Sequence, residues 1–157
     1  MMKILITFFL VFIFFSAISA EEITNFRPCL NSKCTIKKLY ISPCPEALDG
    51  NPCEFPAGIN ATVIMEYIPH FSAQKPKLRF YNVQLLLDIP HPFIDPDGCL
   101  YTSCPLQANV TQKFKYESVT SNLEPRGDYL SKLRLWDDSE NAKYEDQCCV
   151  LMEMKLV

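Results

Sequence analysis

The 157-residue chain is 48% hydrophobic and 21% charged, with a formal net charge of -3, eight cysteines and only four glycines. That balance fits one compact domain and excludes a wholly disordered chain, whose apolar content would be too low to form a core. The acidic sum, with no long basic run, leaves no electrostatic footprint for DNA or RNA, so nucleic acid is excluded as a partner.

The chain opens with Lys3, an apolar run from Ile4 through Phe15 and a small-residue tail from Ser16 to Ala20, ahead of Glu21 and Glu22. A basic start, an apolar stretch short for a bilayer span and small residues at the cleavage point predict a secretory signal peptide over residues 1–20. The expected mature unit, 21–157, is a secreted, soluble, acidic monomer, with the lumen of endosomes or lysosomes as a second destination. It holds all eight cysteines: Cys29, Cys34, Cys44, Cys53, Cys99, Cys104, Cys148 and Cys149. In an oxidising compartment an even count reads as disulfides. With no close CxxC pair and only His70 and His91 to add, no metal site is expected. Eight thiols allow about 105 pairings, among which the short intervals Cys44 to Cys53 and Cys99 to Cys104 invite local staples. A bridge from the first cysteines to the last would close nearly the whole domain and contribute about 4 to 5 kcal/mol in the chain-entropy model.

Beyond the signal the periodicity is two. Thr35 to Ile41 reads as a weak strand, and the turn-rich piece Ser42 to Gly58 follows. Between Asn60 and Ile68, the residues Ala61, Val63, Met65 and Tyr67 share one face, with Asn60, Thr62 and Glu66 on the other. Arg79 to Asp88 is predicted as one strand with Tyr81, Val83, Leu85 and Leu87 inward and Asn82, Gln84 and Asp88 outward. After the turn-rich Ile89 to Gly98, Phe114 and Tyr116 alternate with Lys113, Lys115 and Glu117. Ser121 to Asp128 is a turn region. Leu133 and Leu135 then alternate with Lys132 and Arg134, Asp137 to Asp146 turns again, and Val150, Met152, Met154 and Leu156 alternate with Glu153 and Lys155. No amphipathic helix exceeds a turn or two. Short strands with such punctuation predict an all-β antiparallel sandwich in one unit.

Two sequons, Asn60-Ala61-Thr62 and Asn109-Val110-Thr111, mark Asn60 and Asn109 as glycosylation sites, one on the polar face of its strand and one in a turn. Catalysis finds little support. Neither histidine has a recognisable nucleophile beside it, and no G-x-S-x-G elbow occurs. Asp95, Asp97, Asp137 and Asp138 flank prolines or turns, where short acidic side chains cap the backbone. The doubled Cys148-Cys149 lacks the helical calcium-loop pattern and following histidine of secreted phospholipases, and alternating strand directions suit two separate bridges. No catalytic residue and no cofactor are expected. What remains is a large stock of inward apolar positions, which periodicity alone assigns equally to a dry core or to a cavity.

The loops separate these alternatives. Ile41-Ser42-Pro43-Cys44-Pro45, Asn51-Pro52-Cys53, Pro92-Phe93 with Asp95-Pro96-Asp97-Gly98-Cys99, and Cys104-Pro105-Leu106 resemble the myeloid-differentiation-related lipid-recognition (ML) family. The likeness is strongest to its soluble Niemann-Pick type C sterol-carrier branch, and the group-two mite allergens share the family. It runs from Cys29 to the closing strand ending at Val157. The resemblance implies an immunoglobulin-like sandwich of two antiparallel sheets that splay around a lipid. It implies bridges Cys44 to Cys53, Cys99 to Cys104 and Cys29 to Cys149; the additional Cys34 and Cys148 are expected to pair with each other, with the exchanged pairs Cys29 to Cys148 and Cys34 to Cys149 as the alternative. The Pro-Phe-Ile-Asp-Pro segment is shorter than that branch usually has.

By the same resemblance Phe93, Val119 and Leu123 match pocket-lining positions, the last commonly aromatic in sterol binders. Strand parity adds Val63, Met65, Tyr67, Tyr81, Val83, Leu85, Phe114, Tyr116, Leu133, Leu135, Val150 and Met152. The implied function is noncovalent carriage of a sterol or similar lipid to a membrane or acceptor protein. Burying about 400 Å² of ligand surface yields on the order of 10 kcal/mol before association costs, enough without a polar anchor. Recognition of microbial lipids such as lipopolysaccharide, and a structural or inhibitory sandwich with a filled core, are the alternatives.

Overall fold

A computed structural model describes residues 20–85 and 87–157. The expected signal segment therefore lies, apart from Ala20, outside the described residues. Among the described residues ten strands form: β1 Glu21–Glu22, β2 Phe26–Pro28, β3 Cys34–Ser42, β4 Cys53–Phe55, β5 Asn60–Pro69, β6 Lys77–Gln84, β7 Leu87–Pro90, β8 Gln112–Val119, β9 Gly127–Trp136 and β10 Gln147–Leu156. Two 3-10 turns, Pro45–Asp49 and Gly98–Leu100, interrupt them. No described helix is long and apolar enough to cross a membrane.

The strands make two sheets, one ordered β1-β3-β5-β8 and the other β2-β10-β9-β6-β7. Neighbours are antiparallel except β4, which runs parallel to the last residues of β10 beyond the end of β2. Alternation decides which side of each strand is dry. On β5, Val63, Met65 and Tyr67 are buried, as their period predicts; so are Phe114 on β8, Leu133 and Leu135 on β9, and Val150 and Met152 on β10. These side chains from two sheets meet in a single core. The weak strand predicted from Thr35 is longer than expected, and a bulge between Ile36 and Lys38 lets Leu39 and Ile41 turn fully inward.

One predicted strand is corrected. Arg79 to Asp88 is a hairpin: β6 ends at Gln84, Leu85 is in the turn, and β7 returns so that Val83 faces Asp88 across the ladder. The buried residues of β6 are Leu78 and Phe80, opposite Leu135 and Leu133, so Tyr81 and Val83 project from the outer face. Both faces of this strand carry large apolar residues, and the outer series simply continues through the turn, which made it the longer run.

Cys44 pairs with Cys53, Cys99 with Cys104, Cys29 with Cys149 and Cys34 with Cys148. The last two bridges tie adjacent residues of β10 to the segment at the start of β3. The acidic turn residues act as caps: Asp95 Oδ1 accepts from the amide of Asp97, Asp97 Oδ1 from Cys99, and Asp137 Oδ1 from Ser139. Gly98 is required by close approach, since a Cβ there would lie 2.6 Å from the Pro76 carbonyl oxygen.

Candidate functional site

One end of the sandwich is fastened. There the bridges of Cys29 and Cys34 meet β10, and Lys33 forms an ion pair with Asp146 at 3.0 Å. The Tyr67 hydroxyl donates to Thr102 Oγ1 at 2.8 Å, and Thr102 donates onward to the Lys113 carbonyl. Burial pushes the Tyr67 phenol up to about 12, against the smaller opposing pull of the Thr102 hydroxyl.

Towards the other end the same inner faces open. Along β5 burial falls from Tyr67, which is inaccessible, through Met65 and Val63 to the half-buried Ala61; along β8 it falls from Phe114 to half-buried Tyr116 and Ser118. The opposite sheet follows suit, from Leu78 through Phe80 to Asn82 on β6 and from Leu135 through Ser131 to Tyr129 on β9. Four rings lie beneath this opening. Phe80 meets Tyr116 at 4.8 Å between centroids and Phe114 at 6.3 Å, while Tyr101 lies 5.7 Å from Tyr116 and 6.1 Å from Phe114. All four pairs are tilted, an arrangement that fills space through ring edges and faces without regular stacking.

A hollow of about 500 Å³ lies at this open end, with Ile89 to Pro92 on one side, Glu124 to Tyr129 on the other and Asn82 to Gln84 between. His91 Nδ1 and Glu124 Oε1 approach to 3.5 Å, joining the two loops that border it. Exposed apolar side chains occur on the segments next to these in the chain: Leu85 and Leu87 of the β6–β7 hairpin, Phe93 beyond it, and Val119 and Leu123 at the end of β8 and in the loop that follows. Phe93 is 95% exposed and Leu123 91% exposed.

The predicted pocket residues thus divide. Val63, Met65, Tyr67, Phe114, Tyr116, Leu133, Leu135, Val150 and Met152 are brought together between the sheets. Phe93, Leu123 and Leu85 are exposed on loops and the hairpin turn, and Val119 ends β8 in the phase opposite to Phe114 and Tyr116. Tyr81 and Val83 are corrected to the outer face, where Tyr81 stacks with the Lys132 ammonium at 5.5 Å and Val83 borders both the 500 Å³ hollow and a second one of about 320 Å³. Sheets splayed around a chamber are what the resemblance implies; at mid-depth this structure holds rings in contact, and the hollow of about 500 Å³ is lined by the ends of β6, β7 and β9 and their loops. Sequence reasoning missed Phe80, Tyr101, Asn82, Tyr129 and Ile89. The alternation of Leu78 and Phe80 was the available signal for β6, whereas Tyr101 sits in a loop that no periodicity reaches.

His70 is held by Thr35 Oγ1 and Asn109 Oδ1, each at 2.8 Å, and Asn60 and Asn109 are both exposed. Among the described residues no cluster of histidine, cysteine, aspartate or glutamate is arranged to hold a metal.

Comparison with known proteins agrees with this geometry. The profile of the ML domain matches residues 24–156. An MD-2-related lipid-recognition protein from Manduca sexta is 28% identical over 144 residues, covering 87% of each chain. In fold, the chain is similar to the crystal structure of a Niemann-Pick type C2 protein from the Japanese carpenter ant, with a TM-score of 0.71 and 18% identity over 84% of this chain and 98% of that one. An all-β sandwich of two sheets, open at one end over an aromatic floor and matched along its length by this profile, belongs to the ML domain family of lipid-binding proteins.

Proposed function

We propose that this protein carries a single lipid, a sterol foremost, whose apolar body enters between the sheets at the open end while any polar head stays among Asn82, His91 and Glu124 at the mouth. The observation that carries this reading is the fall in burial along four inner faces towards one apolar rim. The hollow there, about 500 Å³, is within the usual range for small-molecule sites. A lipid reaching past it must part Phe80 from Tyr116, and tilted rings beside flexible Met65, Met152 and Met154 can repack around guests of different outline.

Binding and release need no covalent step. Desolvation of the guest drives entry, and contact of the rim with a membrane or acceptor offers an apolar path out. We assign the chain to the secretory route as a monomer, with glycans at Asn60 and Asn109; the paired cysteines and the exposure of both asparagines support that assignment.

Uptake of a fluorescent sterol by the purified protein, with competition by unlabelled sterol, fatty acid and lipopolysaccharide, tests the proposal. Saturable one-to-one uptake displaced best by sterol is expected. Preference for lipopolysaccharide would favour microbial-lipid recognition, and no uptake of any of the three would favour a filled structural sandwich.

A further inference from the structure

The outer face of the larger sheet carries a feature that the lipid reading does not use. Three alternate rungs of the β6–β9 ladder pair Lys77 with Trp136, Arg79 with Arg134, and Tyr81 with Lys132. The partners of these strands' other side, Leu78, Phe80, Leu133 and Leu135, are buried, so all six residues project outward. Four cations therefore share one small flat area of a chain whose formal charge is -3.

Two arginines directly opposite each other destabilise a ladder unless something neutralises them. Among the described residues neither Arg79 nor Arg134 has a carboxylate partner, and Lys77 has none either; only Lys132 is paired, with Asp88. Asp97 lies opposite Lys77 in an isolated bridge, but its carboxylate accepts from the Cys99 amide. Arg134 is instead held in place by neutral groups. Its Nε donates to Gln147 Oε1 at 2.6 Å, and its guanidinium lies over the Trp136 ring at 4.7 Å and the Tyr144 ring at 5.2 Å. This fixes a planar donor fork beside a second, unpaired one, an arrangement suited to an oxyanion.

We propose that this face binds a sulfated polysaccharide, whose sulfates engage Arg79 and Arg134 with Lys77 and Lys132 on either side. An acidic peptide fits less well, because β6 and β9 are each paired on both edges and offer no free backbone for an added strand. A membrane fits less well, because the protruding apolar side chains Leu85, Phe93 and Leu123 stand at the open end. Attraction is local to this patch, since the chain as a whole repels polyanions. The inference is independent of the lipid reading.

Binding of a fluorescent heparin oligosaccharide to the purified protein at physiological ionic strength tests it. Saturable binding is expected, weakened about tenfold or more in the double variant Lys77→Gln/Arg79→Gln and lost with desulfated heparin. Neither residue has a side-chain partner among the described residues, so the variant keeps its melting temperature. The control Lys113→Gln/Lys115→Gln removes the same charge from the opposite sheet and leaves binding unchanged. The proposal is overturned by absence of saturable binding, by equal loss in both double variants, or by tighter binding of polyglutamate or phosphatidylserine vesicles through the same two residues.

Discussion

Phe80 on β6 and Tyr116 on β8 belong to different sheets, yet their rings meet at 4.8 Å across the gap that a guest would have to enter. Phe80 is buried and Tyr116 only half-buried, so the pair marks the depth at which the packed core gives way to the mouth. Tyr116→Ala removes the outer ring of the pair. Stability falls by about 2 to 4 kcal/mol in denaturant titration, while stopped-flow uptake of a fluorescent sterol becomes faster. Slower uptake by a folded variant would mean that the ring assists the guest and does not obstruct it.

The rim makes a different demand. Phe93 and Leu123 are almost fully exposed, so Phe93→Glu/Leu123→Glu leaves the melting temperature nearly unchanged. Each side chain contributes about 1.5 to 3 kcal/mol when it leaves water for an apolar partner, so delivery of bound sterol to neutral phosphatidylcholine vesicles slows about tenfold or more. Unaltered delivery would remove the rim from the exchange step.

The Cys29–Cys149 and Cys34–Cys148 bridges span 120 and 114 residues, but both join the same two segments. With one in place the other closes only a cycle of a few residues. Replacing either pair by alanine therefore costs about 2 kcal/mol, whereas replacing both costs about 7 kcal/mol, in the chain-entropy model. Guanidinium unfolding of the two single-bridge variants and the double variant measures this; simple additivity of the two losses would contradict it.

Alkaline stability isolates the fastened end. The Tyr67 phenol is raised from its ordinary value of 10.0 to about 12 by burial, so the folded state retains a proton that the unfolded chain releases. Its contribution is fully present below pH 10 and is lost progressively as pH rises towards 12. Tyr67→Phe loses the hydrogen bond to Thr102, about 1 kcal/mol at neutral pH. The stability difference between wild type and this variant should shrink and then reverse in sign over that alkaline window. A difference independent of pH would place the phenol in contact with water.

Much of the fold was legible in residue alternation where only one face of a strand is apolar. On β5, β8, β9 and β10 the charged residues Glu66, Lys113, Lys115, Lys132, Arg134 and Glu153 leave a single choice of inner face, and Val63, Phe114, Leu133 and Met152 follow it. On β6 Tyr81 and Val83 compete with Leu78 and Phe80, because the outer face is itself partly covered by Lys132. Short strands escape periodicity altogether: β1, β2 and β4 have too few residues to alternate, and β4 gains its place from the pairing of Cys53 to Phe55 with the end of β10. Of the candidate site, the buried inner wall was readable. The mouth was not, since it is made by the approach of loops such as those of His91 and Glu124, which are distant in the chain.

The most direct test of the account uses a sterol bearing a photoreactive group on its hydrocarbon tail, irradiated in complex with the protein and mapped by peptide mass spectrometry. Labelling is expected on the inner positions Val63, Phe80, Tyr116 and Met152, and it should disappear when unlabelled sterol is added in excess. Labels confined to outward residues such as Tyr81 and Leu151, with none between the sheets, would contradict it.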